Sequence, residues 1–329
     1  MKKIIAGLLC ATMMASMLAA CGSKSTDTAS KGKDGTYTIG ICQLVQHPAL
    51  DAATEGFKDA LKDKLGDKVT FDEQNAAGDS ATCATICNGF VSSGYDLILA
   101  NATPALQAAT AATADIPIIG TSVTDYATAL SIKDWKGTTG VNVTGTSDLA
   151  PLDQQAAMVK ELFPNAKNVG ILYCSAEANS KYQADKVTKY LEDEGYKVSS
   201  YTFSDSNDVA TVTQTACDGS DVLYIPTDNT AANCTENINN VALAAKVPII
   251  AGEEGICSGC GVATLSIDYY DIGQQAGLMA YEILVNGKNP ATMDIQTATK
   301  FTKEYNKDIC KTLNIDIPDD YVAITKEAE

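Results

Sequence analysis

The chain has 329 residues, with 41 acidic side chains against 24 basic ones and a formal net charge of −17. So large an excess of negative charge excludes nucleic acid and anionic membrane surfaces as partners. Every basic residue is a lysine, so no arginine is there to clamp a carboxylate or phosphate through two parallel hydrogen bonds.

Lys2 and Lys3 precede an apolar stretch from Ile4 to Leu18 that is too short for a convincing membrane span. Leu18-Ala19-Ala20-Cys21 resembles the lipobox of bacterial lipoproteins. That resemblance implies removal of residues 1–20 as a signal peptide and a lipid on Cys21, which would anchor the protein to the cell membrane on its extracytoplasmic side. Residues 21–36 are mostly Gly, Ser, Thr, Lys and Asp, and read as a flexible tether.

From Tyr37 onward about 290 residues remain, enough for two domains. Strands are expected at Tyr37–Cys42, Val69–Phe71, Leu97–Ala100, Pro117–Gly120 and Thr138–Val143. Helices are expected at Ala49–Leu65, at Asp79–Ser92 and from Pro104 onward, with Thr103 as N-cap. A second series has strands near Asn168–Tyr173, Lys197–Phe203, Val222–Ile225, Pro248–Ala251 and Val262–Ile267. Its helices are expected near Asn179–Glu192, Asp208–Cys217 and Thr230–Ala245. A helix over Asp271–Asn286 carries Ile272, Ala276, Met279 and Ile283 on one face. It is expected to pack back on the first domain, after which the chain returns along Asp294–Thr299 to a last helix at Lys303–Leu313.

The two series match. Gly40 corresponds to Gly170, Asp96 to Asp221 and Pro117 to Pro248, at offsets of 130, 125 and 131 residues. Three landmarks in one order at nearly one spacing indicate an internal duplication. The fold class is therefore α/β, with two similar doubly wound parallel-sheet domains joined by a three-strand hinge. One domain would comprise 37–146 plus 268–293, the other 147–267 plus 294–329. Ligands of open parallel sheets bind at the carboxyl ends of the strands, so one cleft between the domains is the expected site.

The expected ligand groups lie after strand ends. Thr103 and the backbone around Ala105 open a helix and offer an anion site. Ser122 and Thr124 in the first domain, and Ser175, Asn179 and Ser180 in the second, add hydroxyls and an amide. Asp125, Glu177, Asp228, Glu253 and Glu254 are carboxylates that could meet an ammonium group, each with an N-cap as its alternative role. Gln43 and Asn229 complete the candidate set. Tyr173, Tyr126 and His47 are candidate walls for an aromatic side chain, and His47 is also placed to turn the chain before Pro48. Nine cysteines follow Cys21; most sit where a small apolar residue would serve, and they read as buried free thiols. Cys257 and Cys260 could instead form a labile disulfide. No metal cluster or cofactor motif is present in the sequence.

Several stretches resemble a known family. They are His47-Pro48-Ala49-Leu50-Asp51, Asn75-Ala76-Ala77-Gly78-Asp79, Ala102-Thr103-Pro104-Ala105, Val123-Thr124-Asp125, Asn142-Val143-Thr144-Gly145, Glu177-Ala178-Asn179-Ser180, Pro226-Thr227-Asp228-Asn229 and Asp268-Tyr269-Tyr270 with Gly273. They are similar to the substrate-binding lipoproteins of ABC transporters, in the type I periplasmic-binding-protein class and the branch named for tryptophan and tyrosine uptake. The resemblance implies a free amino acid as ligand, often aromatic, with no cofactor. It also implies delivery of the ligand to a membrane permease driven by a cytoplasmic ATPase, and the chain is expected to be a monomer. Two other readings stay open. Cofactor-independent amino-acid racemases also have two similar halves with one cysteine in each, and Cys42 and Cys174 sit at equivalent strand ends. A signalling receptor could use the same binding body.

Overall fold

The computed structural model describes residues 35–325; the expected signal peptide and Cys21 lie outside them. Buried apolar strands begin each sheet. In the first series the chain runs β1 (Tyr37–Gln43), α1 (Pro48–Leu65), β2 (Val69–Asn75), α2 (Ser80–Ser93), β3 (Leu97–Asn101), α3 (Thr103–Ala112), β4 (Ile118–Thr121), α4 (Tyr126–Ala129) and β5 (Val143–Ser147). In the second it runs α5 (Leu152–Leu162), β6 (Asn168–Cys174), α6 (Ala178–Asp193), β7 (Lys197–Phe203), α7 (Val209–Gly219), β8 (Val222–Ile225), α8 (Asn229–Ala232), α9 (Thr235–Ala245), β9 (Ile249–Ala251), α10 (Glu254–Cys260) and β10 (Ala263–Ser266). The chain closes with α11 (Tyr269–Leu284), β11 (Gln296–Thr297), β12 (Thr302–Tyr305), α12 (Lys307–Leu313) and β13 (Val322–Ala323).

The strand orders show the duplication. The first sheet contains β2-β1-β3-β4-β5 and the second β7-β6-β8-β9-β10, the same order twice. Equivalent acids do equivalent work. Asp96, just before β3, accepts the Thr38 amide of β1 at 2.7 Å. Asp221, just before β8, accepts the Asn168 amide of β6 at 2.8 Å and the Lys167 amide at 2.9 Å. Each carboxylate fixes the start of a neighbouring strand.

The return of α11 to the first sheet depends on close helix packing. A Cβ on Gly273 would run into the Ala53 carbonyl of α1, and one on Gly56 into the Tyr270 carbonyl of α11. Tyr37 Oη donates to the Leu284 carbonyl at 3.1 Å, tying the end of α11 to β1.

Four expectations are corrected. The strand expected at Thr138–Val143 is β5, at Val143–Ser147; Thr139 instead uses its hydroxyl on the Val143 carbonyl. Gln296–Thr297 pairs with Thr146–Ser147 of β5, so the last crossing falls after Thr297 rather than at 293/294. The helix expected at Lys303–Leu313 loses its first residues to β12, which runs antiparallel to β10, and Asn306 caps the shorter α12. Finally, α3 begins one residue earlier than expected. Thr103 is its first residue, Ala102 is the N-cap, and no side chain caps the helix. Ala102 takes φ 90 there, so its carbonyl can accept the Leu106 amide.

Gly273→Ala should destabilise the protein by about 1–3 kcal/mol through overpacking of α11 against α1. Thermal denaturation followed by circular dichroism checks this. A melting temperature within 1 degree of wild type (below the roughly 2 degrees that even 1 kcal/mol implies) would mean that the two helices can part without cost.

Candidate functional site

The carboxyl edges of the two sheets face each other, and side chains already bond across the gap. His47, in the β1–α1 loop, bonds through Nε2 to Asn229 Oδ1 of α8 at 3.2 Å. Asn229 Nδ2 donates to Glu177 Oε2 at 2.6 Å, which turns its oxygen toward the histidine. His47 Nε2 is therefore the donor, and burial lowers the histidine's pKa. From α6, Gln183 Nε2 reaches Thr124 Oγ1 at 3.4 Å and the Thr227 carbonyl at 3.1 Å. Tyr269 Oη, at the start of α11, donates to Asp148 Oδ2 at 3.2 Å.

Ten buried side-chain polar atoms among the described residues have no hydrogen-bond partner. Six of them belong to His47, Asn101, Thr103, Ser122, Asp148 and Asn179, at strand ends, loops or first helical turns on the carboxyl edges. A buried polar group without a partner costs about 1–3 kcal/mol, so their concentration makes this edge the candidate binding site. Thr103 and Ser122 are 3% and 5% exposed. Thr103 follows strained backbone at Ala102, φ 90, and Ser122 is itself strained at φ 53. Strain of this kind costs about 1–3 kcal/mol per residue and collects at ligand sites. The Ala105 amide lies in the first turn of α3, before the first helical hydrogen bond, with the helix dipole behind it. Hydroxyls, a free amide and a helix N-terminus are suited to a carboxylate.

The structure gives most of the expected acids other work. Glu177 accepts the Asn229 and Thr230 amides, the Thr230 hydroxyl and the side-chain amides of Asn179 and Asn229. Asp228 caps α8 and also holds the Cys174 amide at 2.6 Å. Glu253 caps α10 through the Gly255 and Ile256 amides. Asp125 caps α4 through the Thr128 amide at 2.7 Å, and Glu254 is exposed. Gln43 is used at both ends: Nε2 donates to Asp51 and the Val45 carbonyl, and Oε1 accepts from Thr54. Ser175 is exposed and donates to the Phe203 carbonyl. Ser180 is buried beside Asn179, which donates to its hydroxyl at 3.2 Å.

The aromatic walls also move. Tyr173 packs in the core beneath α5 and α6. Tyr126 lies over Gly120 and Gly145 in the first domain's core, with its hydroxyl on the Thr146 carbonyl at 3.1 Å. Tyr269 takes their place as an aromatic joined to the cleft's polar network. The residue that sequence reasoning missed is Asp148. It lies immediately after Ser147, the last residue of β5. The available signal was position alone: it is the acid that follows the fifth strand, as Asp125 follows the fourth.

All nine described cysteines are buried and free. Cys42 points into a core shared with Cys83 and Cys87, and Cys174 Sγ turns to the Ser204 carbonyl at 3.6 Å. Burial pushes Cys174 up to about 11. Two thiols buried in separate cores cannot flank one substrate carbon, which removes the racemase reading. Cys257 and Cys260 are separate thiols on α10.

Residues 38–329 match the model of a family described as ABC transporter substrate binding protein. A tyrosine-binding protein of Clostridioides difficile is 39% identical over 322 residues, covering 95% of this chain and 93% of that one. A Streptococcus pneumoniae ABC domain in complex with L-Trp is 34% identical with a TM-score of 0.82, covering 86% of this chain and 96% of that one. The ligand-free, open structure of a substrate-binding protein with adhesive properties from Clostridium difficile is 36% identical with a TM-score of 0.67, covering 89% and 100%. At similar identity, the arrangement of this chain is nearer to the L-Trp complex than to the open form.

Burial raises the carboxyls of Asp148 to about 6 and of Asp228 and Glu253 to about 7. Such groups hold protons in the folded state that the unfolded chain releases near pH 4. Stability should therefore fall as pH rises from about 4 to about 7. Burial raises Glu304 to about 7 as well, and His47, with its lowered pKa, opposes all four below its ordinary value of 6.5. Melting temperatures of the ligand-free protein across pH 4.5 to 7.5 (the window these shifts define) check the sign; a steady rise would contradict it.

Proposed function

Because the chain belongs to the ABC transporter substrate binding protein family, it is a carrier for a transporter and not an enzyme, and we propose that it captures a free aromatic amino acid in the cleft between its two domains. The observation that carries this reading is the gathering of unpartnered buried polar atoms on the carboxyl edges. They provide donors for a carboxylate and acceptors for an ammonium within one cleft. The aromatic preference is supported by the relatives, one named for tyrosine and one holding L-Trp.

In this reading the α-carboxylate sits on Thr103, Ser122 and the first turn of α3. The domains are residues 37–147 with 268–297, and 150–266 with 302–325. Ligand stabilises the closed arrangement by its differential affinity for that form. The closed, loaded monomer is then read by a permease whose ATPase lies across the membrane. A lipid on Cys21 would hold the protein outside the cytoplasmic membrane, near that permease. No helix among the described residues is long and apolar enough to cross a membrane.

A thermal-shift screen tests the ligand class. Tyrosine, phenylalanine or tryptophan should stabilise the protein more than leucine or glutamate. At 100 times its Kd, a ligand adds about 2.7 kcal/mol. A stronger shift from leucine or glutamate would sink the aromatic preference.

Thr103→Val tests the carboxylate site. The Thr103 hydroxyl has no partner in the protein, so removing it should leave the ligand-free melting temperature unchanged or raised. Affinity for the amino acid should fall by about 1–2 kcal/mol, and affinity for its decarboxylated amine by much less. Calorimetry with both ligands decides the matter: equal losses would make Thr103 a structural residue.

A further inference from the structure

Four acids on the carboxyl edges have their oxygens committed or lie at the rim. Both Glu177 oxygens and both Glu253 oxygens accept backbone amides. Asp228 divides its oxygens between the Ala231 and Cys174 amides. Asp125 is half-buried and caps α4. Asp148 differs from all four. It is 4% exposed, its Oδ2 accepts the Tyr269 hydroxyl, the Thr124 hydroxyl and its own amide lie near it, and its Oδ1 has no partner among the described residues. None of the ion pairs among the described residues includes it.

A carboxylate offers about four acceptor positions, and an uncompensated buried one is costly. Asp148 has one donor in contact and a second hydroxyl, that of Thr124, beside it. Thr124 is the residue that Gln183 reaches from the second domain, and Gln183 also bonds the Asn179 carbonyl. Asn179 Oδ1 is itself buried without a partner. An acid and an amide oxygen, both unsatisfied, are thus joined through Thr124 and Gln183 across the cleft.

We propose that Asp148 receives the α-ammonium group of the ligand, so that the cleft selects free α-amino acids over their deaminated or N-blocked analogues. The proposal rests on the amino-acid reading above and assigns within it a residue at the crossing from β5 to α5. Its raised pKa agrees with a buried acid that lacks a cation in the protein. Tyr269 is a positioning residue: its hydroxyl holds Oδ2 and leaves Oδ1 available.

The test uses full-length protein and two matched ligand pairs, tyrosine with 4-hydroxyphenyllactate and tryptophan with indolelactate. Each analogue replaces the ammonium by a hydroxyl and keeps the carboxylate and ring. Wild-type protein should prefer the amino acid by about 10- to 100-fold, the range expected for a charge-assisted hydrogen bond. Asp148→Asn keeps an acceptor for Tyr269 and removes the charge. It should weaken the amino acid by about the same factor and change the hydroxy acid by less than about threefold. Equal losses for both ligands, or an unchanged affinity for the amino acid, would overturn the assignment of Asp148 alone. Wild-type protein that binds neither amino acid would overturn the amino-acid reading and this proposal with it. Should the variant fail to fold, wild-type protein that binds amino acid and hydroxy acid equally still overturns the proposal.

Discussion

The two domains bury more polar atoms on their facing edges than they can satisfy between them. His47 with Asn229 and Gln183 with Thr124 are the side-chain bonds that cross the cleft. A typical hydrogen bond contributes about 0.5–1.5 kcal/mol net, whereas one unsatisfied buried group costs about 1–3 kcal/mol. Six such groups on this edge outweigh two bonds. A ligand that supplies partners to these groups would favour the closed arrangement, which is how a binding protein couples shape to occupancy. The higher TM-score against a relative holding L-Trp than against an open, ligand-free one is consistent with that geometry.

Those groups can stay unsatisfied in place because the frame around them is rigid. Ala102 and Ser122 are held at positive φ, at a cost that only well-packed surroundings sustain. The surroundings are parallel strands buried on both faces, with α1 and α11 locked by glycine-mediated contact on one side. The acids Glu177, Asp228 and Glu253 contribute differently. Each binds backbone amides at the mouth of a short helix, and so fixes the second domain's loops. Loop rigidity and ligand contact are thus divided between different carboxylates.

Much of the fold was legible in the sequence because duplication repeats local signals. An acid before a β-strand, an apolar run and a Val/Ile-Pro-Ile-Ile stretch recur at near-constant spacing, and the two sheets follow. The last crossing was not legible. Gln296 and Thr297 form a two-residue strand whose only signal is its pairing with β5, and pairing is a property of the assembled sheet. The same limit applies to the site. An acid after a strand looks alike in sequence whether it caps a helix or faces a ligand. Glu177 and Asp148 differ in how many amides converge on them in three dimensions, and no local pattern encodes that number.

The absence of arginine shapes the electrostatics of recognition. Without a guanidinium, the carboxylate end of the cleft is met by neutral hydroxyls and the partial positive charge of the α3 N-terminus. The same cleft holds one buried carboxylate with an unpartnered oxygen, that of Asp148. An α-amino acid carries both charged groups on one carbon, so its carboxylate can meet the hydroxyls and helix N-terminus while its ammonium meets the buried acid. An amine without a carboxylate, or an acid without an amine, leaves one end unpaired, and an unpaired buried polar group costs more than a paired one returns. Discrimination of this kind comes from the penalty on the wrong ligand as much as from attraction to the right one. It also acts whatever the side chain is, so discrimination among aromatic rings requires contacts other than these polar ones.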